Sequence, residues 1–182
     1  MLQPLLRYRP ATPFDAPRIA ALHTRSWREN YRGAMTDDYL DGQAADERLG
    51  VWTQRFSEEN PNMQVFLAES GVNLVGFCCL FLDHDSKDGT LLDNLHVHID
   101  YRGRGVGKQL MHWAAKTTMA HDPAGKLYLW VLQQNTAAAA VYRKLGGRMG
   151  RREQHHMPGT AAEGTPALAV HFDPADLRER TR

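Results

Sequence analysis

The stretch "LHVHIDYRGRGVGKQL", residues 95–110, runs from an apolar strand into a glycine-rich turn and then into a helix. The backbone N–H groups that open a helix have no partner within it and carry the positive end of the helix dipole. Such an end binds phosphate readily, and glycine lets the backbone approach a ligand closely. Arg102 and Arg104 add positive charge at the same point. The turn is therefore predicted to hold a diphosphate.

Neither common nucleotide-binding fingerprint fits this turn. In G-x-G-x-x-G, counted from Gly103 and Gly105, the third glycine would fall at Lys108. The P-loop pattern needs serine or threonine after the Gly-Lys pair, and Gln109 stands there instead. A nucleotide-phosphate binder is therefore disfavoured.

The pattern that does fit is R-x-x-G-x-G, on Arg102, Gly105 and Gly107. An apolar strand with Leu95 and Val97 precedes it. Together they resemble the acetyl-CoA turn of the GCN5-related N-acetyltransferase (GNAT) family. The resemblance implies acetyl-CoA as cosubstrate and direct transfer of the acetyl group to an amine.

Two further segments strengthen the resemblance. After the strand "LYLWVL" comes N-x-x-A-x-x-x-Y-x-x-x-G, which in this family follows a strand and is filled here by Asn135, Ala138, Tyr142 and Gly146. The segment "SWRENYRGAMTDDYL", residues 26–40, is similar to the first helices of many small bacterial relatives. The resemblance is specific from residue 93 to residue 147 and loose outside that range.

Hydrophobic periodicity predicts one strand, two helices, three strands, a helix, a strand, a helix and two strands. The second helix is expected to bury Leu49, Trp52 and Phe56, and the charged end, residues 173–182, is expected to fray. We predict a single α+β domain over residues 1–182. The resemblance implies a three-layer α/β arrangement: a mixed, mostly antiparallel sheet of about seven strands, with helices on both faces, splayed between its two central strands.

Composition limits the partners. With 182 residues, 42% hydrophobic and 24% charged, and a formal net charge of +1, the chain shows no global attraction to nucleic acid or membranes. Cys78 and Cys79 are adjacent in an apolar strand, which suits a reducing compartment, and we expect a cytoplasmic protein. The histidines form no zinc pattern, so no metal is expected. Pairing of the last two strands in a homodimer remains open.

The resemblance also assigns roles to residues in the cofactor site. Tyr142 matches the family tyrosine that protonates the departing thiolate, and a phenol is a proton donor at neutral pH. Strand backbone at Leu95 and Val97 is expected to pair with the pantetheine amides like an added strand. The residues expected to contact the cofactor are Leu95, His96, Val97, Arg102, Gly103, Arg104, Gly105, Val106, Gly107, Asn135, Ala138 and Tyr142.

The acceptor is expected to be the primary amine of a small molecule rather than of a protein. Trp27 and Tyr31 would line its pocket, where aromatic rings suit a cationic amine, although both also fit core packing. Asp93 or Asn94 would orient the amine. The alternative is a non-catalytic acyl-CoA sensor or regulatory module of the same fold.

The general base stays open at the sequence level. Some protein-acetylating relatives carry a glutamate five positions before the asparagine, and Trp130 stands there in this chain. Asp93, His96, Glu153 and His155 are the candidates, and a water chain is the other route for the proton. Histidine has the most suitable ordinary pKa.

Overall fold

Residues 5–182 are described by a computed structural model of the chain. The strands are β1 Leu6–Pro10, β2 Met63–Ser70, β3 Asn73–Asp85, β4 Gly89–Val97, β5 Leu127–Leu132, β6 Arg148–His155 and β7 Thr165–Phe172. The helices are α1 Ala16–Asn30, α2 Ala44–Ser57, α3 Val106–His121, α4 Thr136–Lys144 and α5 Pro174–Arg180.

The seven strands form one sheet in the order β1-β2-β3-β4-β5-β7-β6. Among the pairings in the described chain, β4 with β5 is the parallel one and the others are antiparallel. The predicted α+β architecture, with a mostly antiparallel sheet, is confirmed. Connecting two parallel strands requires a crossover, and α3 supplies it.

Each face of the sheet has its own core. On one face, α1 and α2 cover β2 and β3 with a cluster that includes Ile19, Trp52 and Phe77. On the other face, α3 packs on β2, β3 and β4, with Leu110 and Met111 fully buried. Alternating side chains along β3 feed the two clusters in turn, as the period of a strand requires.

Two expectations about the helices are wrong. Leu49 is 41% exposed, and Arg48 is buried in its place, because α2 is rotated so that Arg48 and Trp52 face inward. The charged end does not fray but forms α5, which packs on α3 and buries Leu177 completely. Asp173 caps α5 by accepting the N–H groups of Ala175 and Asp176, a start signal that its charge obscured.

Candidate active site

A cleft opens where β4 and β5 part. The two strands pair only at Thr90 with Leu127 and at Leu91 with Tyr128, and beyond these residues they diverge. A cavity of about 480 Å³ occupies the gap between them. The sheet is therefore splayed between its central strands, and polar backbone of β4 borders a space large enough for a ligand.

The backbone of Val97 is directed into this cleft. The N–H of His98 donates to the carbonyl of Val75 in β3, at 2.9 Å. Because neighbouring N–H groups in a strand point to opposite sides, the N–H of Val97 points towards the gap. The Val97 carbonyl accepts a hydrogen bond from Nε of Arg102 at 3.3 Å.

The glycine turn closes one end of the cleft. Gly103 and Gly105 have positive φ values of 74° and 83°, and apart from the adjoining residues no atom of residues 5–182 lies within 4 Å of a Cβ built on either. The Gln109 N–H makes an intrahelical bond to Gly105 O at 3.0 Å, which leaves the N–H groups of Val106 and Gly107 without helical partners. Open space beside unpaired N–H groups fits a diphosphate.

The two arginines of the turn have different surroundings. Arg102 pairs with Glu29 of α1, with Nη2 3.0 Å from Oε2, so it ties the turn to α1 as well as lining the cleft. Arg104 extends over the ring of Tyr101, 5.1 Å from its centroid. Arg102 is therefore shared between an internal carboxylate and the phosphate site expected from the sequence.

Helix α4 forms the opposite wall. Asn135 caps this helix, with its Oδ1 accepting the N–H of Ala138 at 3.1 Å. One and two turns further along, Ala138 and Tyr142 line the cleft. The Tyr142 ring packs edge-on against Phe172, with centroids 6.2 Å apart. Burial, with a smaller contribution from Tyr31, raises the pKa of Tyr142 above its ordinary value, so its phenol stays protonated at neutral pH.

A second cavity of about 280 Å³ adjoins the cleft across the gap. Residues of α1 and α2 and the segment 155–158 are among those that line it. Trp27, Tyr31, Asp93 and Asn94, the four residues predicted for the acceptor, all line it. Six residues line both cavities: Tyr31, Leu95, His96, Trp130, Leu132 and Tyr142. We call this second space the acceptor cavity and the shared region the junction.

The sequence model of the Acetyltransferase (GNAT) family matches residues 17–147, which contain the turn, both strands at the gap and α4. The chain belongs to the GNAT acetyltransferase family. It is an acyltransferase, and the family resemblance drawn from the sequence is confirmed.

Curated relatives agree with this assignment. The protein named Probable N-acetyltransferase Rv2775, from Mycobacterium tuberculosis, is 28% identical over 142 residues, which cover 76% of this chain and 78% of that protein. The streptothricin acetyltransferase of Streptomyces lavendulae is 34% identical over 77 residues, which cover 42% of this chain and 40% of that protein.

Solved structures share the fold. The PaiA N-acetyltransferase from Thermoplasma acidophilum, solved in complex with coenzyme A, superposes with a TM-score of 0.68 at 18% identity, over 92% of this chain and 99% of that one. Arabidopsis thaliana NAA60, solved in complex with acetyl-CoA, superposes with a TM-score of 0.64 at 18% identity, over 92% of this chain and 98% of that one.

The four candidate bases of this GNAT enzyme differ in their access to the junction. Glu153 lies exposed on β6, paired with Arg151 at 2.6 Å, and is not among the residues around either cavity. His96 is at the junction, but burial lowers its pKa to about 3, and its Nδ1 lies 2.8 Å from the Ser26 hydroxyl. Asp93 and His155 line the acceptor cavity, and burial lowers the pKa of His155.

Asp93 reaches the cavity through a β-bulge. Cys79 pairs with Asn94 and Leu80 pairs with Leu92, so Asp93 has no partner on β3. A bulge of this kind redirects a side chain and is common beside active sites. The Asp93 carboxylate lies 2.9 Å from Nη1 of Arg55, an ion-pair distance. Arg55 therefore neutralises Asp93 at the wall of the acceptor cavity.

Sequence reasoning missed the two arginines of the acceptor cavity, Arg48 and Arg55. Both are on α2, seven positions apart and therefore on one face of the helix. Trp52 lies between them at the same face and is fully buried. Arginine on both sides of a buried tryptophan was the available signal, because a charged side chain on an inward face usually has a binding or pairing role.

The environment of Trp27 also differs from the expectation that its ring would face a substrate cation. Trp27 is 5% exposed, and the guanidinium of Arg48 lies 4.4 Å from its ring centroid. Three rings also neighbour it: His23 edge-on at 4.7 Å, Tyr31 stacked at 5.8 Å and Tyr39 tilted at 6.5 Å. An internal cation thus occupies one face of the tryptophan.

Two further features of residues 5–182 concern metal binding and membrane insertion. Within residues 5–182, no group of three or more His, Cys, Asp and Glu residues is arranged to hold a metal ion. None of the helices in that range is both long and apolar enough to cross a lipid bilayer.

Proposed function

We propose that this GNAT enzyme transfers an acetyl group from acetyl-CoA to the primary amine of a small molecule. The observation that carries the proposal is the junction, where the cofactor cleft and the acceptor cavity meet beside Tyr142. Acetyl-CoA supplies an activated acyl group, and the remaining tasks belong to the chain: to hold the thioester in the cleft, to admit a neutral amine and to return a proton to sulfur.

The cleft supports the first task. The Val97 N–H points into the gap and is placed to donate to a thioester carbonyl or a pantetheine amide. The open space at Gly103 and Gly105, beside the unpaired N–H groups of α3, is suited to the diphosphate. The cavity of about 480 Å³ lies within the usual range for ligand sites, about 300–1,000 Å³.

Proton movements fall to residues at and beside the junction. An alkylammonium with a pKa of about 10.4 must lose a proton before its nitrogen can attack. Asp93 and His155 face the acceptor cavity and are our two candidates for accepting that proton, directly or through water. Tyr142 remains protonated because of its burial, and it is our candidate donor to the departing thiolate.

The size of the acceptor cavity favours a small molecule. At about 280 Å³ it is slightly smaller than a typical ligand pocket, and the segment 155–158 forms part of its wall. A protein substrate requires a longer groove for an extended segment. The sensor alternative gains no support, because a cavity joined to the acyl site is what an acceptor needs.

Two further proposals concern the compartment and the oligomeric state of the protein. We propose a reducing, cytoplasmic setting because Cys78 and Cys79 are free thiols buried in β3. We propose a homodimer because β6 is the terminal strand of the sheet, and its outer edge is available for pairing with a second copy. Light scattering coupled to size-exclusion chromatography tests the dimer, and a monomer at micromolar concentration contradicts it.

The test of the function is release of free thiol from acetyl-CoA in the presence of a panel of amines, with detection of the acetylated amine by mass spectrometry. We expect amine-dependent thiol release with at least one small-molecule amine. Release that is restricted to peptides, or absent with every amine while acetyl-CoA binds, would refute the proposal.

A further inference from the structure

The charged side chains around the acceptor cavity suggest which amine enters it, an inference that rests on the proposed function. Arg48, Arg55 and Asp93 are the three. Two guanidinium groups and one carboxylate face the same small space, so the wall offers more hydrogen-bond donors than acceptors. Guanidinium donors form their strongest hydrogen bonds with anionic oxygen atoms.

Arg48 is held rigidly and retains free donors. Its side chain is 10% exposed, and its Nε and Nη2 donate to the carboxylate of Glu47, with 2.5 Å from Nε to Oε2. Its remaining nitrogen, Nη1, makes no hydrogen bond to any group in residues 5–182. Stacking on Trp27 fixes the plane of the guanidinium. A guanidinium has five N–H donors, and those that do not bind Glu47 are on Nη1 and Nη2. These N–H groups are left for a ligand.

Arg55 is also only partly satisfied. Its Nη1 donates to Asn94 Oδ1 at 3.1 Å and lies 2.9 Å from Asp93 Oδ2. The second contact has the distance of an ion pair but not the direction of a hydrogen bond, since Asp93 Oδ2 accepts none from residues 5–182. Arg55 therefore offsets the charge of Asp93, and Glu47 offsets the charge of Arg48.

The positions of these groups give the acceptor a direction. Arg48 and Arg55 line the acceptor cavity but not the cofactor cleft, whereas the amine must reach the junction beside Tyr142. The end of the acceptor that faces the two arginines is therefore not the end that carries the reacting nitrogen. A second ammonium group at that end would meet the free N–H donors of Arg48, which can bind an acceptor but not another donor.

We propose that the acceptor is an aminocarboxylate, whose carboxylate binds the free end of the Arg48 guanidinium while its amine lies at the junction. The planar guanidinium matches the two oxygens of a carboxylate better than an ammonium does. Arg48 is thus a specificity-determining residue, and Arg55 supports it by neutralising Asp93.

Two series of amines with equal chain length and different end charge test this proposal. The first is 4-aminobutyrate, butylamine and putrescine, and the second is leucine, 3-methylbutylamine and leucinamide. In at least one series we expect the carboxylate compound to exceed its neutral amine by about tenfold or more in kcat/KM, because its charge-assisted hydrogen bonds to Arg48 have no counterpart in the neutral amine. Putrescine is expected to be the poorest of its series.

Variants locate the effect at Arg48. Arg48→Gln is expected to raise KM for the carboxylate compound by about tenfold or more while changing KM for the neutral amine and for acetyl-CoA by less than about threefold. Arg48→Lys keeps the charge but loses the paired N–H donors of the guanidinium, so we expect a smaller rise in KM that is confined to carboxylate compounds. This variant tests the proposal if Arg48→Gln does not fold. Arg180→Gln, which removes an arginine from an exposed ion pair on α5, is the matched control.

The outcomes separate the two proposals. Turnover of butylamine or putrescine with no preference for carboxylates overturns the aminocarboxylate assignment and leaves the acetyltransferase function intact. Equal loss with all acceptors in Arg48→Lys also overturns it, because the arginine would then act on the fold and not on specificity. No thiol release with any amine overturns the proposed function itself.

Discussion

Replacing Tyr142 by Phe removes one oxygen from the junction and tests how the thiolate is protonated. No hydrogen bond joins the Tyr142 hydroxyl to another group in the described chain, so the substitution leaves no internal donor or acceptor unpaired. The ring, its edge-on contact with Phe172 and its packing on the core are retained. We therefore expect the free energy of unfolding to change by less than about 1 kcal/mol.

The catalytic effect is expected to be much larger. General acid catalysis contributes about 10²–10⁴ in rate, and 10² corresponds to about 2.7 kcal/mol in the barrier. Tyr31 also lines the junction, and burial raises its pKa to about 12, so a second protonated phenol remains nearby. We therefore expect Tyr142→Phe to lower kcat by about 10², at the lower end of the range for general acid catalysis. Adding Tyr31→Phe should lower kcat further.

The assay is steady-state thiol release at saturating amine, with KM for acetyl-CoA determined in parallel. KM is expected to stay within about twofold, because the phenol acts on the departing thiolate and not on the diphosphate or pantetheine. Tyr8→Phe is the matched control: Tyr8 is a half-buried phenol on β1, with a pKa also raised by burial, and it lies outside both cavities. An unchanged kcat in Tyr142→Phe refutes the assignment of this proton transfer.

The remaining predictions concern stability and the placement of α3. Leu177→Ala, at a fully buried position of α5, should cost about 2–5 kcal/mol in chemical denaturation and leave KM for acetyl-CoA unchanged; a cost below about 1 kcal/mol would mean that α5 does not pack as described. Gly76→Ala would place a Cβ 2.8 Å from Val106 Cγ1, so it should destabilise the protein by about 1–3 kcal/mol, and Val106→Ala in the same chain should restore part of the loss; a neutral effect would contradict the close approach of α3 to β3. Burial lowers the pKa of His96 to about 3 from 6.5, so below pH 6.5 the unfolded chain takes up a proton that the folded protein does not. The contribution of His96 to the free energy of unfolding should therefore fall by about 2 kcal/mol between pH 6.5 and pH 5. His96→Gln should make the free energy of unfolding less dependent on pH in this range.

The local patterns of the sequence were sufficient for the cofactor side of the site. Gly105 and Gly107 could be identified because a phosphate-binding turn needs glycine at fixed spacing before a helix. Asn135 and Tyr142 could be identified because α4 carries both at helical spacing. The splay between β4 and β5 entered through the family resemblance and not through periodicity, because strand separation leaves no mark on side-chain alternation.

The acceptor side depends on long-range packing that the sequence does not display. Arg48 is buried because α2 rotates it onto Trp27, a contact between two helices. Asp93 faces the acceptor cavity because of a one-residue bulge, and a register shift cannot be read from a single strand. Helix α5 was missed for a different reason: its Asp-Pro start resembles a polar tail until Leu177 is seen to be buried.

Binding of acetyl-CoA to the glycine turn is the central claim, and isothermal titration calorimetry of Gly105→Asp beside Gly71→Asp tests it most directly. Both glycines have positive φ, 83° and 61°, and open space at the Cβ position among the described residues, so each substitution adds one negative charge and a strain of about 1–2 kcal/mol. Gly71 lies in the β2–β3 turn, outside both cavities. We predict that Gly105→Asp loses about 100-fold or more in affinity for acetyl-CoA while Gly71→Asp binds like the unaltered protein. Equal affinity in the two variants would contradict the account.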